Sequence, residues 1–407
     1  MKIIFVNRFF YPDHSATAQL LSDLAFDLAA RDGRVMVITS RQRIDDPDAD
    51  LLPAERVHGV DVHRIWTTRS GRASLGGRAM DYLTFYANAG WRLFSECGAG
   101  DLVIAKTDPP LMSVVASWVA RWRGARQINW LHDLFPETAV RLGVNTLAGW
   151  PAALLRRLRN TTLERAHLNV VLGRRMASVL RSEGVSEGRV RIIPNWCDGA
   201  TVRPVSRARN TLRKAWKLDD RFVVMYSGNM GRAHEFETLV AAARILRERA
   251  DIVFLLIGDG VRRRWIETEI ARRGLRNVSL KPYQPKDQLG KSLGVGDVHL
   301  VSLRPELEGL IVPSKFYGVA AAGRPTIFIG SPEGEIASIL AENHCGITVP
   351  PGDGEGLADT IRGLAGDPRT RRAMGRAARR VFERSFDKPI ALAAWRAAVG
   401  VEQVSGC

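Results

Sequence analysis

The sequence holds no apolar run that approaches the roughly 20 residues a membrane-spanning helix needs; a stretch such as Leu111 to Ala120 falls well short. The opening Ile3-Ile4-Phe5-Val6 turns polar at Asn7-Arg8. That is too short for a signal-peptide core and reads as a buried first strand. Any membrane contact is therefore expected from the surface, with the protein in the cytoplasm. Cysteine is scarce: Cys97, Cys197, Cys345 and Cys407 are scattered and make no metal-type pair. This speaks for a reduced compartment and against structural zinc. Zinc-finger spacing, an RNP-type aromatic run and a lysine-rich tail are missing as well, so nucleic acid is not expected as a partner. Negative charge is in deficit, 43 Asp and Glu against 59 Lys and Arg, for a formal charge of +16. Such an excess suits anionic lipid or phosphorylated small molecules, or serves solubility alone.

What is present is an alternation of apolar β-type runs with helix-period segments, the pattern of parallel α/β sheets. Strands are expected at Ile3–Val6, Val35–Thr39, Leu102–Ala105, Gln127–Trp130 and Asn169–Leu172. A helix is expected over Ala18–Ala30, where Leu20, Leu21, Leu24, Ala25 and Leu28 share one face. The alternation breaks from Ile193-Pro194-Asn195-Trp196 to about Arg209 and then restarts. Beyond it, strands are expected at Phe222–Tyr226, Ile252–Ile257, Val278–Leu280, Val298–Val301 and Thr326–Ile329. The helices there are expected at Glu235–Arg249, Val261–Arg273, Ser314–Ala322 and Glu335–Glu342. The reading is two Rossmann-like domains facing across a cleft: residues 1–198, residues 199–385, and a C-terminal helix in 386–407 crossing back to the first domain. Sites in such folds lie at the carboxyl ends of the strands.

Three strand-to-helix junctions in the second half suit a phosphate group. Tyr226-Ser227-Gly228-Asn229-Met230-Gly231-Arg232 combines glycines, which let backbone N–H groups approach an anion, with a permanent charge. Ile257-Gly258-Asp259-Gly260 is equally compatible with a tight structural turn. The third, Glu308-Gly309-Leu310-Ile311-Val312-Pro313-Ser314-Lys315, starts a helix with Pro and Ser. Its free N–H groups, the Ser314 hydroxyl and Lys315 would face a diphosphate; the plainer alternative is a capped helix with Lys315 in solvent.

The order of these segments, followed by Pro350-Pro351-Gly352-Asp353, resembles the donor domain of glycosyltransferase family four, of GT-B fold. The first half agrees. Trp130-Leu131-His132-Asp133-Leu134-Phe135-Pro136-Glu137 resembles the His-Asp-x-x-Pro-Glu segment of that family's WbuB-like bacterial polysaccharide branch, and Ile193-Pro194-Asn195-Trp196 resembles its interdomain junction. The resemblance spans nearly the whole chain. It implies a retaining transferase with no cofactor and no metal in the site, taking a nucleotide-sugar donor, by family habit a UDP-sugar. The implied acceptor is a polyprenyl-diphosphate-linked saccharide of surface polysaccharide assembly.

The resemblance also implies residue roles. Ser314, Lys315 and Arg232 would stabilise the departing nucleotide diphosphate, and Glu308 would hold donor-sugar hydroxyls. His132 would face the donor sugar, or else be a hydrogen-bonded structural histidine. The loop around Ser15 and Ala16 matches the diphosphate-facing loop but lacks its usual glycine pair. Tyr283 sits where the base is read, and Gly228, Asn229, Gly231, Gly258, Gly309 and Leu310 complete the donor set. Gly318 stands where the family's ribose-gripping glutamate is usual, which leaves ribose binding unassigned.

Several features keep two readings. Asp46, Asp48 and Asp50 carry Asp-x-Asp spacings in a polar stretch that reads as a solvated loop. Residues 141–191 carry ten arginines against three glutamates, interleaved with Trp150, Leu154, Leu155 and Leu158. This is either a face for an anionic membrane or an amphipathic helix with a solvated basic side. The aromatics from Met80 to Tyr86 and Trp91 are either anchors or core. Two other functions fit the same architecture. A nucleotide-sugar 2-epimerase would use Asp133, Glu137 and Glu308 for proton transfer; the other is a non-catalytic member of a polysaccharide-assembly complex.

Overall fold

The computed structural model describes residues 1–31, 33–44, 46, 48–70 and 75–401. Cys407, with the end of the expected 386–407 segment, lies outside the described residues. The chain forms two compact units, Met1–Pro194 with Leu392–Cys407, and Asn195–Ala391.

The first unit follows the alternation. It runs β1 Lys2–Val6, α1 Ala16–Ala29, β2 Arg34–Ser40, β3 Ala54–Val57, β4 Val60–Ile65, α2 Leu75–Glu96, β5 Leu102–Lys106 and α3 Met112–Arg123. It continues β6 Arg126–Trp130, α4 Glu137–Arg141, α5 Trp150–Arg165, β7 Leu168–Val171, α6 Arg174–Ser182 and β8 Val190–Ile192. The sheet order is β3-β4-β2-β1-β5-β6-β7-β8. Every pairing is parallel except the short β3–β4 hairpin. β1, β5 and β7 are buried nearly throughout, as strands covered on both faces must be.

The second unit runs α7 Thr211–Ala215, β9 Phe222–Ser227, α8 Glu237–Ile245, β10 Ile252–Ile257, α9 Arg263–Arg273, β11 Val278–Lys281, α10 Leu289–Leu293 and β12 Val298–Ser302. It ends α11 Lys315–Ala321, β13 Thr326–Ile329, α12 Glu335–Asn343, β14 Gly346–Val349, α13 Gly354–Gly366, α14 Pro368–Ser385 and α15 Lys388–Val399. Its six parallel strands are ordered β11-β10-β9-β12-β13-β14, the doubly wound arrangement that binds nucleotides in other proteins. Val224, Tyr226, Phe254, Leu256, Leu300 and Ile327 form its core with Phe236, Leu239 and Leu357 from the covering helices.

Side-chain caps mark some of the helix starts. Ser15 caps α1 by accepting from the Ala18 amide, while Asp13 accepts from the Ser15 amide at 2.8 Å. Asp353 caps α13, and Asp367 caps α14 ahead of Pro368. α8 is shorter than the expected Glu235–Arg249 because the Glu235 carboxylate caps from outside, accepting from the Thr238 amide at 2.7 Å. Helices α13 and α14, β14 and the long α2 were not among the expected elements, whereas α15 falls within the expected C-terminal helix segment. Alanine and arginine dominate α14, whose buried face is mostly Gly375, Ala377 and Ala378, and paired glycines open α2.

The basic segment 141–191 is no single surface element. It contains the fully buried β7, and several of its charges are consumed locally: Arg156 pairs with Glu137 at 2.8 Å and Arg181 with Glu187 at 2.7 Å. The chain returns to the first unit at Leu392, within α15. There Trp395 is fully buried with its ring 4.5 Å from that of Trp130, and Arg396 pairs with Asp27 of α1 at 2.7 Å.

Candidate active site

In the second unit the winding reverses between β9 and β12, so the loops that follow these strands open a crevice at their carboxyl ends. The first is Gly228–Arg232. Gly228 has φ 133°, and a Cβ there would lie 2.6 Å from Cε of Lys315. Gly258 has φ 139°, and a Cβ on it would overlap the carbonyl oxygen of Gly228. Glycine is therefore required at both positions, by backbone conformation and by close approach. The two loops are tied by Gly228 N–H to Ile257 O at 2.9 Å and Met230 N–H to Asp259 O at 2.7 Å. The side chain of exposed Asn229 fits between Gly231 and Gly260.

Lys315 lies along the Gly228 loop, only partly exposed, with its ammonium 5.3 Å from the Tyr226 ring centroid. Its Nζ is 2.7 Å from Nε2 of His234. The Ser302 carbonyl can only accept, and it lies 2.6 Å from His234 Nδ1, so Nδ1 carries the proton and Nε2 accepts from the lysine. Burial first, then the lysine charge, lower the His234 pKa to about 3, which keeps the ring neutral. Burial lowers the Lys315 pKa to about 7. His234 escaped the sequence reading; its signal is its place two residues after Arg232.

Arg232 is exposed and makes no ion pair among the described residues. Ser314 ends the approach to α11 with its hydroxyl uncommitted to any cap, and Gly309, at φ 75°, turns the chain beside buried Leu310. α11 itself is only seven residues long, so fixed charge outweighs its dipole. Tyr283 is exposed, its hydroxyl 3.5 Å from the Asp259 carbonyl. Glu308 accepts from the Glu335 amide at 3.2 Å, at the start of α12. A side chain at position 318 would meet Leu293 at 3.3 Å.

The first unit has its own reversal, between β1 and β5. Lys106 ends β5 almost fully buried, with Nζ 3.4 Å from the Trp130 ring centroid and donating to the Thr17 carbonyl at 3.0 Å. This bond ties the Ser15-Ala16 turn to β5. Burial holds the Lys106 pKa well down, partly offset by Asp108. His132 follows β6, its ring 5.2 Å from Trp130 and its buried Nε2 without a protein partner. Burial, then Lys106, push its pKa well below the usual histidine value. Burial raises the Asp133 pKa to about 6 against the opposing Thr107 hydroxyl. Glu137 is committed to Arg156 and Arg159. Lys106 and Thr107 were missed because a lysine at the end of Leu102-Val103-Ile104-Ala105 reads as the edge of a strand. Asp46 accepts from the Asp48 amide and Asp50 pairs with Arg41 and Arg69, as a solvated loop would. Among the described residues no group of three or more His, Cys, Asp or Glu is placed to hold a metal.

Two doubly wound units, each with a polar group set at its winding reversal, define the GT-B class of sugar-nucleotide enzymes. Sequence comparison agrees: residues 221–367 match the family described as Glycosyl transferases group 1, and residues 16–196 match the Glycosyl transferase 4-like domain. The probable glycosyltransferase WbjE of Pseudomonas aeruginosa is 30% identical over 276 residues, 66% of this chain and 67% of that protein. The putative colanic acid biosynthesis glycosyl transferase WcaI of Escherichia coli K12 is 28% identical over 276 residues, 66% of each. Among solved structures, Anabaena HepE in complex with UDP superposes with a TM-score of 0.73 at 15% identity, covering 99% of this chain and 100% of that one. The chain belongs to glycosyltransferase family four, of GT-B fold, and is a glycosyltransferase.

Proposed function

We propose that the protein transfers a sugar, with retention of anomeric configuration, from a UDP-sugar to a polyprenyl-diphosphate-linked saccharide during bacterial surface polysaccharide assembly. The observation that carries the donor half is the Lys315 ammonium, held by neutral His234 over the glycine loops at the β9/β12 reversal. A diphosphate there would meet Lys315, Arg232, the Ser314 hydroxyl and the amides of the Gly228 and Gly309 turns. HepE, which shares the fold, binds UDP, and WcaI is assigned to colanic acid biosynthesis; both support the substrate classes.

In the reaction, the acceptor hydroxyl oxygen bonds to the anomeric carbon on the face that the diphosphate leaves. The breaking C–O bond gives its electron pair to the β-phosphate, and the hydroxyl proton passes to that phosphate oxygen. Lys315 and Arg232 stabilise the charge that develops there. In this reading Glu308 lines the sugar subsite through the α12 start, and Tyr283 borders the base. The epimerase alternative is weaker, because Glu137 is ion-paired and Glu308 caps α12.

The test is thermal-shift titration with nucleotide diphosphates and their sugars, followed by donor-only and donor-plus-acceptor incubations. UDP is expected to raise the melting temperature of the parent but not of Lys315→Ala, with sugar transfer only when acceptor is present. An epimerised donor formed without acceptor would overturn the transferase reading, and stabilisation by GDP alone would overturn the choice of base.

A further inference from the structure

Five tryptophans of the first unit are exposed. Trp66, 60% exposed, follows β4, and the other four lie on helices: Trp91 is 75% exposed, Trp118 59%, Trp122 69% and Trp150 78%. Single exposed apolar residues need no explanation, but these last four belong to three neighbouring helices. The crossovers β4 to β5, β5 to β6 and β6 to β7 all run the same way across the sheet, so right-handed connections set α2, α3 and α5 side by side on one face. Packing agrees: Phe94 of α2 lies 6.4 Å from Trp118 of α3, and Thr162 of α5 bonds Ser113 of α3 at 3.2 Å.

The outward stripe of α2 is Met80, Leu83, Ala87 and Trp91, with no charge at all. The exposed side of α3 is Trp118, Arg121 and Trp122, and that of α5 includes Trp150, Leu154, Arg157 and Leu158. Together the three helices carry eight arginines and three carboxylates. Of the carboxylates, Asp81 is buried against Arg8 and Glu96 is paired with Lys2 and Arg92. Of the arginines, Arg92, Arg156 and Arg159 are ion-paired, the last two to Glu137 outside these helices, while Arg121 and Arg157 are exposed and make no ion pair among the described residues. A folded surface that combines amphipathic tryptophans with such arginines matches the headgroup layer of an anionic bilayer, where indole rings settle and guanidinium groups meet phosphate. No described helix is long and apolar enough to cross a membrane, so contact would be lateral.

We propose that the α2–α3–α5 face docks the protein on an anionic phospholipid surface, with Trp91, Trp118, Trp122 and Trp150 in the headgroup layer. The proposal deepens the reading that the acceptor is lipid-linked, and it moves the contact from the 141–191 segment to a surface centred on α3.

The experiment is co-sedimentation of the full chain with phosphatidylcholine vesicles, with and without phosphatidylglycerol. Quenching of tryptophan fluorescence by brominated lipid is read alongside. The parent is expected to bind only the anionic vesicles, less at high salt, and to be quenched. W118S/W122S is expected to bind roughly tenfold more weakly. Its UDP-induced thermal shift, measured without vesicles, should stay at the parent value, which shows that it is folded and tests donor binding separately. Unchanged vesicle binding by W118S/W122S, equal binding to neutral vesicles, or tryptophan-dependent self-association without lipid binding would each overturn the proposal.

Discussion

Lys315 donates to Nε2 of His234 at 2.7 Å, and that histidine is turned by its own Nδ1–H bond to the Ser302 carbonyl at 2.6 Å. Below about pH 7 the relay carries a single positive charge, with the proton on the lysine, because burial lowers the histidine pKa to about 3.

The first prediction follows from the Lys315 pKa of about 7, set by burial. A bound diphosphate favours the ammonium and raises that pKa, so affinity is full below pH 7 and falls as pH rises through it. The UDP dissociation constant should increase about tenfold per pH unit between pH 7 and the pKa of the complex. Calorimetric titrations across that range measure it, and Lys315→Met should bind weakly with no such slope. A flat parent profile would remove Lys315 from the diphosphate.

His234→Ala removes the acceptor that steadies the ammonium. Its UDP affinity at pH 7 should drop roughly tenfold, the worth of one charge-assisted hydrogen bond. Lowering the pH should restore part of the loss, because the lysine pKa falls further without its partner. If the variant binds poorly at every pH by the same factor, the histidine acts through packing alone.

Gly228→Ala places a methyl 2.6 Å from Lys315 Cε at φ 133°. We expect a stability loss of about 2–4 kcal/mol by urea denaturation and a loss of UDP binding. Gly363→Ala, in the exposed interior of α13 with nothing within 4 Å, should instead gain about 0.5–1 kcal/mol. Equal effects from the two would contradict the account of the loop.

Arg213 and Asp297 form a buried pair at 3.0 Å in the second unit, and Asp297 also accepts from the Val223 amide at 2.9 Å. Arg213→Met should destabilise by about 3 kcal/mol, since a buried carboxylate loses its main partner. Asp297→Asn should partly rescue it in the double variant. Additive losses in that cycle would show that the two do not interact.

Local chemistry carried the sequence a long way. Strands such as Ile252–Ile257 were legible because a strand buried on both faces is apolar at nearly every position, whatever its neighbours. The glycine turns at Gly228 and Gly258 and the Pro-Ser-Lys start of α11 were legible because turn and cap chemistry reaches only a few residues along the chain. Tertiary structure alone decided the rest. His234 meets Lys315 across 81 residues and Lys106 meets Thr17 across 89, contacts that no short-range pattern encodes. The same holds for the face of α2, α3 and α5: each tryptophan reads singly as core or surface, and only the direction of the crossovers puts them side by side.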